Sequence, residues 1–441
     1  MHCRRGCNYF KLTSHTKRYS LTFLLFLIYL VVLCWLLTKI KFITKSRLEN
    51  RTIVILFLLR IVAGLANAWI NLYYYPATDS TVFQQESVKE YQLLLSNPQE
   101  YLLNIFHNYN GASYSGLFDI TDSFWNNLRT NIIIKLLSIF NILSNSNFFI
   151  NTLFYNFLVF FGSISLYRIF VQIFPSTKTT LLVTVFLLPS CLYFTSGLHR
   201  DGLIFLALGI VCFNMYNILK KDGLTVARVI YVFCGLLLIF LLRNFIFITL
   251  LPALVAWMIA ARRQKFIFPT FAIVYIFFIL LFFSLKYVHP KLDLPQYVSS
   301  RQLAFIEIAS KAASTININP LFPDFRSFFN NAPQALNHTL MRPYLSEAAK
   351  SLYVPLALEI LFYEALLLAY FIFPMKGAIR DSFIYFGIFF TLSMFLLVGY
   401  TIPILGAIVR YRSVYFPFII TPLACMININ KIKLALNYKK E

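Results

Sequence analysis

Charge is scarce in this chain, and acid is the scarcer sign. Only 13% of its 441 residues are charged, with 17 Asp and Glu against 39 Lys and Arg, while 59% are hydrophobic and the mean hydropathy is +0.70. Soluble domains carry roughly 25% charged residues, so this composition excludes a soluble globular protein and fits a polytopic helical one in a membrane. Clustered metal ligands are missing too. Cys34, Cys191, Cys212, Cys234 and Cys425 fall within apolar runs, and Cys3 and Cys7 have no His or second Cys pair beside them to complete a zinc site. The cysteines therefore give neither a disulfide framework nor a metal site. No low-complexity tract or short internal repeat is apparent. The chain start also lacks the small-residue cleavage site of a secretory signal. Its apolar stretch to Leu37 is followed by Lys39-Ile40-Lys41, so a retained signal-anchor is expected.

What is present is a series of apolar runs, near 20–38, 52–72, 148–171, 179–197, 202–219, 226–242, 245–260, 266–285, 352–373, 382–400 and 404–427. Each approaches the roughly 20 residues needed to span a bilayer as a helix. The expectation is an all-α, polytopic helical membrane protein, one domain over 1–441, with about eleven transmembrane helices. Two long connections interrupt the series, 73–147 and 286–351. Within the first, 73–131 holds no span and carries Asp79, Glu86, Glu90, Glu100, Asp119 and Asp122. The stretch 124–147, with Lys135 inside a shorter apolar run, reads as an interfacial amphipathic helix.

Lys and Arg placement orients the chain. One set of loops, from Lys39 to Arg51 and on through Arg168, Lys220, Arg262, Lys376 and the C-terminal lysines, holds 19 basic residues against four acidic ones. Such loops face the cytoplasm in a multi-pass protein of the inner membrane, which puts 73–147 and 286–351 outside. The net charge of +22 is then met by anionic membrane lipids and does not imply nucleic acid. One conflict follows. If 20–38 spans once, the basic start (Arg4, Arg5, Lys11, Lys17, Arg18) lands outside, unless that run is a hairpin or 124–147 also spans.

On this orientation Asp79, His199-Arg200-Asp201, Arg243-Asn244, Arg301-Gln302, Arg342-Pro343 and Arg410-Tyr411-Arg412 all gather at the outer face. Arginine binds phosphate through a planar fork that stays charged, and a carboxylate serves as a general base. Plainer roles compete with these. Asp79 can cap the helix that follows it, Arg200 and Asp201 can form a local pair, and Arg243 can snorkel to headgroups. His199 fits a structural role, and Arg60 is a partner for Glu359 or a snorkelling residue. Glu359 and Glu364, inside 352–373, together with Arg60 would be the working charges of a transporter. Arg410 and Arg412 point about 200° apart on a helix, so one is expected to face the cavity while the other snorkels or meets a carboxylate. Gly399, Pro403 and Gly406 make a broken helix there plausible.

An Asp in a first long outer segment, soon after an early helix and followed by surface-parallel stretches (Tyr91–Leu103 and 124–147), resembles the C-type (GT-C) integral-membrane glycosyltransferases. Val409-Arg410-Tyr411-Arg412-Ser413-Val414-Tyr415-Phe416-Pro417 is similar to an R-Y-R-x-P-x-x-P stretch in bacterial members, with Val414 in place of a proline. Leu188-Pro189-Ser190 through Ser196-Gly197-Leu198-His199-Arg200-Asp201-Gly202 resembles a helix–turn–helix of envelope-polysaccharide proteins. The resemblance implies inverting transfer of a sugar from a polyprenyl-phosphate donor to an envelope glycan or glycolipid. Asp79 would be the base and Arg200, Arg243, Arg410 and Arg412 would hold phosphate, supported by Asp201, Arg301, Arg342 and Glu359. No organic cofactor is implied. Asp79 is followed by Ser80 and belongs to no Asp-Glu or Asp-x-Asp pair, which leaves a divalent metal open. A polymerase or ligase of lipid-linked polysaccharide, and a transporter or flippase, are the alternatives.

Overall fold

The computed structural model describes residues 6–75, 78–106, 124–220, 223–310, 314–347, 353–375 and 381–432, with side chains from residue 21 onward except 106, 124–126 and 264. The first helices are α1 (Gly6–Lys39), α2 (Lys41–Thr44), α3 (Asn50–Tyr73), α4 (Asp79–Ser96), α5 (Pro98–Leu103) and α6 (Phe124–Ser144). Then come α7 (Phe148–Ile173), α8 (Lys178–Phe186), α9 (Pro189–Ser196), α10 (Arg200–Leu219), α11 (Val226–Leu242), α12 (Asn244–Arg262) and α13 (Ile267–Val288). The last are α14 (Leu294–Ala309), α15 (Phe325–Leu340), α16 (Val354–Ile372), α17 (Ser382–Thr401), α18 (Leu405–Ser413) and α19 (Phe416–Cys425). The protein is all-helical, with only two isolated β-bridges among the described residues.

Among the described residues eight helices are long and apolar enough to cross a membrane, and a ninth span results if the bent pair α8 and α9 is counted as one. The remaining apolar runs form α11 and α19, which are shorter than a full span. The breaks have local causes. Pro189 opens α9 without an N–H to donate, and the chain turns 47° between α8 and α9. The run 404–427 is also two helices, because α18 stops at Ser413 and Pro417 restarts the chain in the first turn of α19.

Long-range contacts define the two ends of the bundle. At one end Thr177 meets Cys425, the Met375 N–H donates to the Met426 carbonyl, and Lys220 pairs with Asp381 at 3.1 Å. At the other end lie Asp79, His199, Arg243 and Arg410. The 20-residue α10 runs between these ends, a rise of about 30 Å. The basic loops around Lys178, Lys220, Arg262 and Lys431 are thus at the far end from the arginines of the site.

α1 is one continuous helix of 34 residues and no hairpin. Tyr29 packs on Phe154 and Phe42 on Phe161, so α1 runs parallel to α7 and starts at the site end. Helix α6 packs on α4 and α7 and is not among the spans. Close helix approach holds the centre of the bundle. A Cβ on Gly209 of α10 would lie 2.7 Å from the Gly162 carbonyl oxygen of α7. Small residues of this kind let apolar helices pack backbone to backbone where lipid offers no hydrophobic drive.

The second long segment is clamped to the bundle. Gln302 of α14 donates to the carbonyls of Tyr400 (2.7 Å) and Asn319 (3.0 Å) and accepts from the Leu321 N–H at 2.8 Å. Residues 314–316 pair with 403–405 through Ile316 N–H to Pro403 and Leu405 N–H to Ser314. These bonds satisfy backbone groups freed where α17 ends at Thr401.

Candidate functional site

Four chain breaks deliver the charged residues to one place. Asp79 is the first residue of α4; Thr78 takes the N-cap position and makes no side-chain cap bond. The Asp79 carboxylate therefore does not cap its own helix and instead reaches Arg410, Oδ2 to Nη1 at 3.1 Å. Asp201 stands in the first turn of α10, where the helix dipole favours an acid. Arg243 is the single extended residue between α11 and α12, and Arg410 falls in the last turn of α18.

Asp201 is the centre of the arrangement. Its side chain is 1% exposed and bridges two arginines, Arg410 Nε at 2.6 Å and Arg243 Nη2 at 2.7 Å. Arg410 in turn links Asp201 to Asp79. The Arg243 guanidinium also covers the Tyr411 ring at 4.0 Å. Asp79 differs from Asp201 in access: its side chain is 55% exposed, and Oδ1 has no hydrogen-bond partner among the described residues. Burial would raise the Asp79 carboxyl, but Arg410 and Arg200 outweigh it and hold the group below the usual carboxylate range. Burial, then Arg410, pushes the His199 imidazole down to about 3, so it is neutral.

Three further arginines stand around this core without a carboxylate partner among the described residues. Arg200 donates to Thr130 of α6 at 2.9 Å and lies over the Phe83 ring. Arg129 is the neighbour of Thr130 on α6. Burial, then the charges of Arg200, Arg301 and Arg243, pushes it down to about 9. Arg301 of α14 lies over Phe305. The Nε atoms of Arg129 and Arg200 are buried without a hydrogen-bond partner. Among the described residues five guanidiniums thus face two carboxylates.

An apolar cavity of about 390 Å³ opens beside them, between α12, α13, α14 and α17. Phe245, Pro252, Tyr275 and Phe282 are among its walls, and Arg301 and Tyr411 supply its polar edge. Tyr411 is the ring on which Arg243 rests, so cavity and charge cluster are continuous.

Asp79, Asp201, Arg200, Arg243, Arg301 and Arg410 of the sequence-derived set are therefore together. The others lie elsewhere. Arg412, 1% exposed, donates to the carbonyls of Thr339 and Arg342 at the end of α15; it neither snorkels nor meets a carboxylate in a hydrogen bond. A cation there satisfies carbonyls that have no partner within the helix. Arg342 pairs with Glu347 at 3.3 Å. Glu359 accepts from the Ser190 N–H and hydroxyl and from the Tyr363 hydroxyl, while Arg60 donates to the Thr195 carbonyl and hydroxyl. Glu359 and Arg60 are thus not partners of each other. One places an anion at the start of α9 and the other a cation at its end, which fixes the half-helix leading to His199. Lys135 is buried against Glu90 at 2.5 Å. Arg129 went unnoticed in the sequence, where it is one polar residue in Asn126-Asn127-Leu128-Arg129-Thr130-Asn131. Its spacing from Arg200 gave no signal, since only the fold joins them.

Among the described residues no group of three His, Cys, Asp or Glu side chains is placed to hold a metal ion. Asp119 and Asp122 lie outside the described residues. Comparison of the chain with protein-family models, curated proteins and solved structures gives no match in any of the three.

Proposed function

We propose that this protein is a membrane glycosyltransferase that moves a sugar from a polyprenyl-phosphate-linked donor to an envelope glycan or glycolipid at the outer face of the membrane. One observation carries the reading: an accessible carboxylate, Asp79, borders a cluster of arginines that is continuous with an apolar cavity. An amphiphile with an anionic head matches both parts, its isoprenoid chain in the cavity and its phosphate on the guanidiniums. The outer position rests on the distance of this cluster from the basic loops.

The chemistry assigned to each group follows from its surroundings. Arg410 holds Oδ2 of Asp79 and orients it, which leaves Oδ1 to receive the proton of the acceptor hydroxyl. A carboxylate of lowered pKa is a weak base, but it keeps its charge in more acidic media than an exposed carboxylate does. Weakness is tolerable here, because the acceptor oxygen becomes strongly acidic once it bonds to an oxocarbenium-like carbon. The guanidiniums stabilise the charge gathering on the departing phosphate in a site of low dielectric.

The polymerase or ligase reading keeps one specific support, since Arg301 from the second long segment also borders the cavity. Against the transporter reading, Glu359 and Arg60, two of its three working charges, are engaged in holding α9. The test is sugar transfer in proteoliposomes from a polyprenyl-phosphate-linked donor. Asp79→Asn should lower the rate by about 10²-fold or more while donor binding persists. Unchanged transfer by that variant at equal protein level would remove Asp79 from the chemistry.

A further inference from the structure

The charge balance of the site carries a distinction between donor types. Arg410 and Arg243 are neutralised by Asp79 and Asp201, at 2.6 to 3.1 Å. Arg129, Arg200 and Arg301 are left over, with no ion pair among the described residues, and two of them have buried Nε–H groups aimed at no acceptor. The three guanidiniums are partly buried, repel one another and have lost part of their solvation, so anions favour this arrangement. A water or a neutral sugar does not supply that match.

We infer that the donor is linked to its lipid through a diphosphate, with Arg129, Arg200 and Arg301 receiving the charge that a monophosphate would not bring. The inference rests on the lipid-phosphate reading of the same site and specifies its headgroup. In the transfer step the acceptor oxygen bonds to the anomeric carbon and the carbon–oxygen bond to phosphate breaks. The bonding pair stays on the phosphate oxygen, and the acceptor proton passes to Asp79. A sugar–diphosphate–lipid carries one negative charge per phosphate, and its leaving group gains one more. Three negative charges then stand against three unpaired guanidiniums. A monophosphate leaving group would leave one of them unmatched at the moment of bond breaking. Because the last charge appears only as the bond breaks, part of this attraction acts on the transition state alone.

Geometry divides the work among the three. Arg301 borders the apolar cavity and so meets the phosphate nearest the lipid. Arg200 and Arg129, side by side through Thr130, lie on the α6 side and meet the phosphate nearest the sugar.

The experiment measures binding of farnesyl phosphate, farnesyl diphosphate and inorganic pyrophosphate to the purified full-length protein in detergent. Farnesyl diphosphate should bind about tenfold or more tightly than farnesyl phosphate, the effect of one further charge-assisted contact. Arg129→Gln should remove that preference and change farnesyl phosphate affinity little, with Arg129→Lys restoring part of it. Pyrophosphate should bind weakly, since it cannot fill the cavity. Equal affinity for the two lipids would overturn the diphosphate inference and leave the lipid-phosphate reading standing. Failure of both lipids to bind, in a protein whose melting is cooperative, would overturn both. Pyrophosphate binding as tight as farnesyl diphosphate would overturn the lipid source of the headgroup. Retention of the preference in Arg129→Gln would remove Arg129 from the second phosphate.

Discussion

The Glu90–Lys135 pair and the Asp79–Asp201 cluster are both ionised groups in a largely apolar protein, yet they are completed in different ways. Lys135 spends its donors on Glu90 and on the Tyr101 carbonyl, each at 2.5 Å, and on Asn104, and its ammonium also lies 3.6 Å from the Tyr101 ring centre. One positive charge meets one negative charge, and the pair ties α6 to α4. Around Asp201 the count does not close: among the described residues five arginines face two acids, and two buried Nε–H groups have no acceptor. A closed pair fixes helices in place. An open cluster retains binding capacity, and here it borders a cavity and an accessible carboxylate.

Asp201 gives the largest expected effect, because it is the buried counter-charge of both Arg243 and Arg410. Asp201→Asn should cost about 3–5 kcal/mol of stability, the usual consequence of leaving buried charges unmatched. Thermal unfolding in detergent measures it. The closed pair should respond differently to double replacement. Glu90→Gln combined with Lys135→Met should recover most of what either single change loses, since the two charges removed are each other's counter-charges. A double variant as damaged as the sum of the singles would erase the distinction between the two groups.

Arg301→Gln should come next. It should leave melting unchanged and weaken lipid-phosphate binding by about tenfold, the value of a lost charge-assisted bond. Loss of stability without loss of binding would make Arg301 a structural residue after all. Glu359→Gln should have a smaller effect, about 1 kcal/mol of stability, because the amide oxygen still accepts from Ser190 while the charge at the start of α9 is gone. Transfer should survive. If Glu359→Gln abolishes function and Asp79→Asn is tolerated, the protein is a transporter.

The smallest effect concerns pH. Asp79 is held below the ordinary carboxylate range, so its ionised form persists until the medium is more acidic than an exposed carboxylate requires. Transfer should fall as pH drops through that lowered value. Removing a neighbouring cation raises the value, so Arg200→Gln should move the acid limb of the rate profile to higher pH. A limb that stays in place would mean that another group controls it.

Much of the architecture was legible because span length and apolarity are local properties of the chain. The eight long spans all fall on runs visible in hydropathy, whereas the break at Pro189 between α8 and α9 falls inside 179–197, which reads as one span. The divergence of Arg410 and Arg412 was equally legible, since two residues on a helix point to opposite sides. Their partners were not. Arg412 bonds to carbonyls at the end of α15, some 70 residues away, and no pattern in the sequence marks carbonyls as unpaired. Arg129 was hidden for the same reason: an arginine among asparagines looks like any polar surface until α6 is laid against α10. Arg60 and Glu359 looked like candidates for each other because both are charges in apolar runs. Only the short α9 between them shows why each is needed separately.

The most direct test is a structure of the protein with farnesyl diphosphate bound. The diphosphate should lie within hydrogen-bond distance of Arg129, Arg200 and Arg301, with the isoprenoid chain between α12, α13, α14 and α17 and Asp79 facing the head. A headgroup bound at the opposite end near Lys220 and Asp381, with the arginine cluster unchanged and empty, would contradict the account.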